Sequence, residues 1–133
     1  MLGIGGKELS EENAAQTAKA LNIIQPDFIR VHATGIKLES KLGEFVRDGS
    51  FTLQSEEEIV IEQKLFLQQL HEMDSYYVNE HIVNLLLEVR GNLRTEKQEM
   101  LSTIDRFLTL PPDERLLFTV GRRLNIFFRL DDL

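Results

Sequence analysis

Cysteine is absent from all 133 residues. That removes disulfides, thiolate nucleophiles, zinc–thiolate sites and cysteine-ligated iron–sulfur clusters from what this chain can supply by itself. Long apolar runs are lacking too: no stretch of about 18 residues is continuously hydrophobic, so no membrane-spanning helix is expected. No basic segment followed by an apolar run opens the chain, so no secretion signal is read there. Basic residues are outnumbered, 15 Lys and Arg against 22 Asp and Glu, for a net charge of -7. Nucleic-acid binding relies on Lys and Arg neutralising phosphates, and this balance disfavours it. Gly/Pro clusters are few, and no internal repeat or low-complexity stretch occurs, which argues against disorder. A cytoplasmic protein is the expectation.

What is present suits one α/β domain. Hydrophobic residues make up 42% of the chain, enough for a core. Leu2-Gly3-Ile4-Gly5-Gly6 is a short apolar piece running into glycines, and Ser10-Glu11-Glu12-Asn13 then opens a helix with Ser10 as N-cap. This reads as a βα turn with almost no strand in front of it, as expected for the tail of a larger α/β protein. Ala14, Ala15, Ala18 and Leu21 give the helix a narrow face suited to close packing. Pro26-Asp27 breaks it. Residues 28–33 form the next expected strand, parallel to the opening stub. A loop or short helix through Leu42, Phe45 and Val46 closes at Asp48-Gly49.

Ser55-Glu56-Glu57-Glu58 is a capping box. Its helix is expected to reach about Met73, burying Ile59, Ile61, Leu65, Phe66, Leu70 and Met73. Tyr76-Tyr77-Val78 reads as a third short strand, and Ile82 to Val89 as one or two helical turns ending near Gly91. A second box, Thr95-Glu96-Lys97-Gln98, opens a helix carrying Met100, Leu101, Ile104, Phe107 and Leu108. Pro111-Pro112-Asp113-Glu114 restarts the chain as a last helix whose apolar positions are Leu116, Leu117, Val120 and Leu124. The fold class is therefore α/β and helix-rich. Residues 1–54 carry the first βα/β units, 55–91 a crossover helix, strand and helical turn, and 92–133 a C-terminal helical hairpin.

Several residue groups could carry chemistry. Gly3, Gly5 and Gly6 match neither a dinucleotide fingerprint, because Glu8 stands where glycine is needed, nor a P-loop. They fit a strand end where a ligand meets bare backbone at a helix N-terminus, or simply a tight turn. His32 and His81 fall just past the second and third strands, at the rim where parallel α/β folds collect ligands. Thr34, Asn79, Glu80 and Asn84 belong near them. His71 reads as a helix C-terminal cation, Arg122-Arg123 as dipole complements, and Glu56-Glu57-Glu58 as a cap with a solvated first turn. No histidine pair has metal-ligand spacing on a helix, and Ser40 and Ser75 have no assigned base. No catalytic residue and no metal ligand is therefore assigned.

The runs Gly3-Ile4-Gly5-Gly6-Lys7-Glu8-Leu9-Ser10, Pro26-Asp27-Phe28-Ile29-Arg30 and Ser75-Tyr76-Tyr77-Val78-Asn79-Glu80-His81-Ile82-Val83-Asn84-Leu85-Leu86 resemble the C-terminal part of bacterial radical S-adenosylmethionine enzymes of the Fe–S oxidoreductase type. The likeness spans most of residues 2–108. It implies the last strands, two to three short parallel ones, of a partial (β/α)6 barrel. It also implies that Gly3, Gly5, Gly6, His32 and Thr34 contact the adenosyl cofactor, and that Asn79, Glu80, His81 and Asn84 line the substrate cavity. The family's 4Fe–4S cluster is held by a CxxxCxxC loop that this sequence lacks. The resemblance thus implies a parent enzyme using S-adenosylmethionine and the cluster, with no cofactor held by this chain alone and no catalysis without the missing N-terminal barrel portion. A different class of reading is a stand-alone helical module that oligomerises through an open strand edge and Phe127/Phe128. A third is a small-ligand module using the glycine rim without redox chemistry.

Overall fold

Small residues set how closely the first helix approaches its neighbours. In the computed structural model, which describes residues 1–133, helix α1 (Ser10–Ile24) buries Ala14 and Ala18 and packs along helix α3 (Glu56–Gln69). A left-handed Gln25, with its N–H on the Leu21 carbonyl, ends α1 immediately before Pro26. Strands β1 (Phe28–Arg30) and β2 (Tyr76–Val78) pair in parallel, with Ile29 opposite Tyr77. Strand β3 (Gly91–Asn92) lies antiparallel on the far side of β2. The chain is thus α/β, with five α-helices around a small mixed sheet. The remaining helices are α2 (Lys41–Arg47), α4 (Lys97–Thr109) and α5 (Pro112–Arg123), followed by a 3-10 turn at Leu130–Asp132. No helix is long and apolar enough to cross a membrane.

The opening stub does pair in parallel with the segment after β1. Leu2 bridges Ala33, its N–H donating to the His32 carbonyl at 2.8 Å and its carbonyl accepting the Thr34 N–H at 2.9 Å. Alternation then turns the polar groups of Met1 and Gly3 to the opposite, outer edge. Side chains occupy them there: the Gly3 N–H donates to Glu62, and the Met1 carbonyl accepts from Asn13 Nδ2 at 3.0 Å. At the other sheet edge the Asn92 N–H donates to Glu96 Oε2 at 2.7 Å. A glutamate thus takes one outward backbone N–H at the stub and one at β3, a device that satisfies backbone donors.

Several local expectations are corrected. Ser10 does not cap α1; Leu9 holds that position without a side-chain bond, and the Ser10 hydroxyl instead donates to Glu62 Oε2 at 3.0 Å. Helix α3 keeps its Ser55/Glu58 capping box but stops at Gln69. Asn22 pulls the chain away there, donating to the Gln69 carbonyl and accepting the His71 N–H, both at 2.8 Å. Its buried side also differs. Ile61 is exposed, whereas Val60, Glu62, Gln63, Phe66 and Leu67 are covered, because α1, α4 and the sheet enclose the helix from several directions.

Residues 82–89 form turns rather than helix. Asn79 and Asn84 take backbone groups with their side chains and so compete with helical bonding. The expected box at Thr95–Gln98 does not form either: Glu96 rather than Thr95 holds the N-cap position of α4, without a side-chain bond to the helix, and its carboxylate accepts the Asn92 N–H instead. On α5 the inward residues are Phe118, Gly121 and Arg122, so the expected apolar positions Leu116, Leu117, Val120 and Leu124 face outward. Phe118 sits between Phe107 and Phe127, ring centres 5.9 and 6.2 Å away. Phe127 lies so close to Gly121 that a Cβ there would approach its ring to 2.3 Å. Phe128 remains exposed.

Candidate functional site

Where the stub and the post-β1 segment separate, they leave a cleft of ≈ 350 Å³ between Gly3, Thr34, Gly35, Gln54, Ile59 and Val83, with Glu56 and Arg123 on its wall. That volume lies at the lower end for small-molecule sites. Gly3 has φ +78, and a Cβ on it would meet Ile59 Cδ1 at 2.5 Å, so only glycine fits without displacing that wall. Thr34 directs its hydroxyl to the Leu2 carbonyl at 2.7 Å, which pins the turn leaving the sheet. Gly35 has no atom within 4 Å of where its Cβ would stand, so its backbone borders open space.

Gln54 is the polar group not already spent. Its Nε2 donates to the Ser10 hydroxyl at 2.9 Å and to the Glu58 carbonyl at 3.3 Å, but its buried Oε1 has no donor. This oxygen lies on the Gly3 side of the cleft, 3.5 Å from the point a Gly3 Cβ would occupy. A buried acceptor without a donor is costly and is well matched by an N–H or O–H brought by a ligand. Arg123 closes the opposite wall. Its Nε donates to Glu56 at 2.8 Å, and its Nη2 donates to the Val83 carbonyl at 3.0 Å.

The three acids at the start of α3 stay partly exposed, and each also has a cationic partner. Glu56 meets Arg123, Glu57 lies 3.2 Å from Arg115, and Glu58 lies 2.9 Å from Lys7. The Ser55 N–H and Lys7 together hold the Glu58 carboxyl below its usual range. Behind the cleft, Glu62 is fully buried. It accepts the Gly3 N–H at 3.2 and 3.3 Å, the Ser10 hydroxyl at 3.0 Å and Asn13 Nδ2 at 2.6 Å, with no Lys or Arg beside it. Three donors from two segments thus replace a counter-ion.

Of the residues expected at the cofactor contact, Gly3 and Thr34 border the cleft. Gly5 and Gly6 are turned away: Cβ atoms there would meet the Leu9 and Thr52 carbonyls at 2.9 Å, which makes them turn residues. His32 lies beside the sheet end and stacks on His81, ring centres 4.0 Å apart and planes 29° apart. Desolvation, then the charges of His81, Arg30 and the N-terminal amine, push the His32 imidazole below its ordinary range. The Val83 N–H approaches His81 Nδ1 at 3.4 Å.

The residues expected in a substrate cavity do not gather as one. Asn79 and Asn84 are buried and bonded to each other at 2.7 Å, and Asn84 also receives the Ala33 N–H at 2.7 Å, so both brace the turns. Glu80 pairs with Arg90 on the surface. His71 is exposed beyond α3, and Ser75 donates to the Pro26 carbonyl.

Gln54, Arg123 and Glu62 were missed by sequence reasoning. For Glu62 a signal existed, since an acid with Ile59 three residues before and Phe66 four after lies on an apolar helical face. For Gln54 and Arg123 there was none, because 69 positions separate them along the chain. Compared with protein-family models, with curated proteins and with solved structures, the chain matches none.

Proposed function

We propose that this chain serves as the rim-bearing C-terminal portion of a radical S-adenosylmethionine Fe–S oxidoreductase, contributing to the cofactor and substrate cavity and inactive alone. The observation that carries the reading is the cleft at the ends of parallel-paired segments, bordered by Gly3, Thr34 and Gly35. In this reading the Leu2 stub, β1 and β2 belong to a partial (β/α)6 barrel, and α4 with α5 form a helical hairpin appended to it.

The residues present fit the adenosyl group better than the cluster. Gln54 Oε1 is a buried acceptor without a donor, suited to an amino group of the cofactor, while Gly3 and Gly35 offer backbone without side chains in the way. Apolar contact would come from Ile59 and Val83. With no cysteine, the chain has no thiolate for the 4Fe–4S cluster, which falls to the N-terminal barrel portion. The chemistry supplied by the bound cofactor would be hydrogen-atom abstraction from a substrate. This chain's part is to bind and orient, and Arg123 would hold the cleft wall in place through Glu56 and the Val83 carbonyl.

The test is calorimetric titration with S-adenosylhomocysteine. Little or no heat is expected for the chain alone, and saturable binding once a cluster-bearing barrel portion is supplied. Gly35→Trp, which fills the cleft mouth, should then abolish binding. Undiminished binding by that variant would refute the reading.

A further inference from the structure

Two histidines stand where segments of the cleft meet. His32 leads into Ala33, Thr34 and Gly35 on its rim, and His81 opens the turn that carries Val83. Their rings stack, centres 4.0 Å apart, and so join the two segments. Asn84 reinforces that join on both sides of His32. Its Oδ1 accepts the Ala33 N–H at 2.7 Å, and its Nδ2 donates to the Val31 carbonyl at 2.9 Å. The Val83 N–H points at His81 Nδ1, 3.4 Å away, so that nitrogen serves as an acceptor and carries no proton. The Ile82 and Val83 carbonyls in turn accept from Arg123, at 3.4 and 3.0 Å.

The charges that bear on His32 all oppose a proton there: His81 across the stack, Arg30 from β1 and the N-terminal amine from the stub. Arg123 reaches the His81 turn from α5 through its two carbonyl contacts. The acids in these segments are committed elsewhere. Glu80 pairs with Arg90 and Glu56 with Arg123, and no carboxylate forms an ion pair with either ring. A proton on His81 Nδ1 would set one donor against another at the Val83 N–H, and two charged rings at stacking distance repel. We propose that the His32–His81 stack is a proton-operated latch on the cleft: neutral rings hold the Val83 turn against Thr34 and Gly35, and protons taken up from solvent release that turn and loosen Arg123. The latch acts on the cleft read above as the adenosyl site, and it rests on that reading for its ligand alone.

Access to the cleft tests this without a cofactor. The methyl signals of Ile59 and Val83, which line the cleft, are followed by NMR in the presence of the soluble nitroxide hydroxy-TEMPO. Buried Val60 serves as internal reference, and its unchanged signal shows that each variant is folded. Between about pH 8 and pH 5 the broadening of Ile59 and Val83 relative to Val60 should rise by about twofold or more. His81→Phe keeps a ring for the stack but has no proton to take up, so the rise should vanish. His32→Phe makes the same change on the other ring and should remove most of the rise, while His71→Gln, at an exposed histidine beyond α3, should leave it intact. Level broadening in the native chain would overturn the proposal. So would a rise that survives undiminished in either phenylalanine variant, or one that His71→Gln removes. Hydroxy-TEMPO reports access alone, so a level response here leaves the cofactor reading standing, and a failed titration with S-adenosylhomocysteine leaves the latch standing.

Discussion

The carboxylate of Glu62 receives the backbone N–H of Gly3, although 59 positions separate the two residues and no cation lies beside the acid. The same carboxylate takes the Ser10 hydroxyl and the Asn13 amide. One buried side chain of α3 therefore ties the opening stub to the start of α1 and holds the back of the cleft.

Removing that acceptor should be felt as lost stability. Glu62→Ala strands three donors and is expected to cost about 3 kcal/mol, the range for buried polar groups left unpaired. Glu62→Gln keeps one acceptor oxygen and should cost roughly half as much. Urea unfolding followed by circular dichroism separates the two variants, and equal midpoints would show that the donors rebond elsewhere.

Two glycines of the same cleft should respond differently. Gly3→Ala drives a Cβ to 2.5 Å from Ile59 Cδ1 at a left-handed φ, for an expected loss of about 2 kcal/mol. Gly35→Ala meets nothing within 4 Å and should change stability by less than about 0.5 kcal/mol. Thermal melts of both variants provide the check.

Acid should weaken the stacked pair. The His32 imidazole titrates below its ordinary 6.5 in the folded chain, so the unfolded chain takes up the proton first. Stability is then retained above that value and declines as pH falls below it, since the folded chain strips water from the imidazolium and sets it near the charges of His81 and Arg30. His32→Gln should flatten this part of the curve of melting temperature against pH. An unchanged slope would assign the effect to other groups.

At the alkaline end the sign reverses. Burial pushes the Tyr77 hydroxyl well above its usual range, against the opposing bond from Gln63 Nε2 at 3.0 Å. The unfolded chain ionises first, near the ordinary value of about 10, so stability falls as pH rises from there. Tyr77→Phe should lose about 1 kcal/mol at neutral pH, the worth of one hydrogen bond. It should then resist alkaline unfolding better than the native chain, as stopped-flow fluorescence or circular dichroism at high pH would reveal.

Legibility from sequence followed the range of each interaction. The α3 capping box, the break at Pro26 and the strand at Tyr76–Val78 appear where the residues predict them, because each depends on neighbours a few positions away. The parallel stub was legible too, since a βα turn at Gly3 leaves few other partners for Leu2. The end of α3 was not, because Asn22 reaches it from another helix. The cleft's unpartnered Gln54 and its Arg123 wall were hidden for the same reason.

Composition by itself ruled out thiolate chemistry, and local patterns of caps, breakers and β-branched residues determined the order of helices and strands. Only the tertiary arrangement decided which polar side chains are buried and which apolar ones stay outside. Glu62 and the Leu116–Leu124 stripe show both sides of this. A helix's inward face depends on what surrounds it in space, and spacing along one segment carries no record of those neighbours.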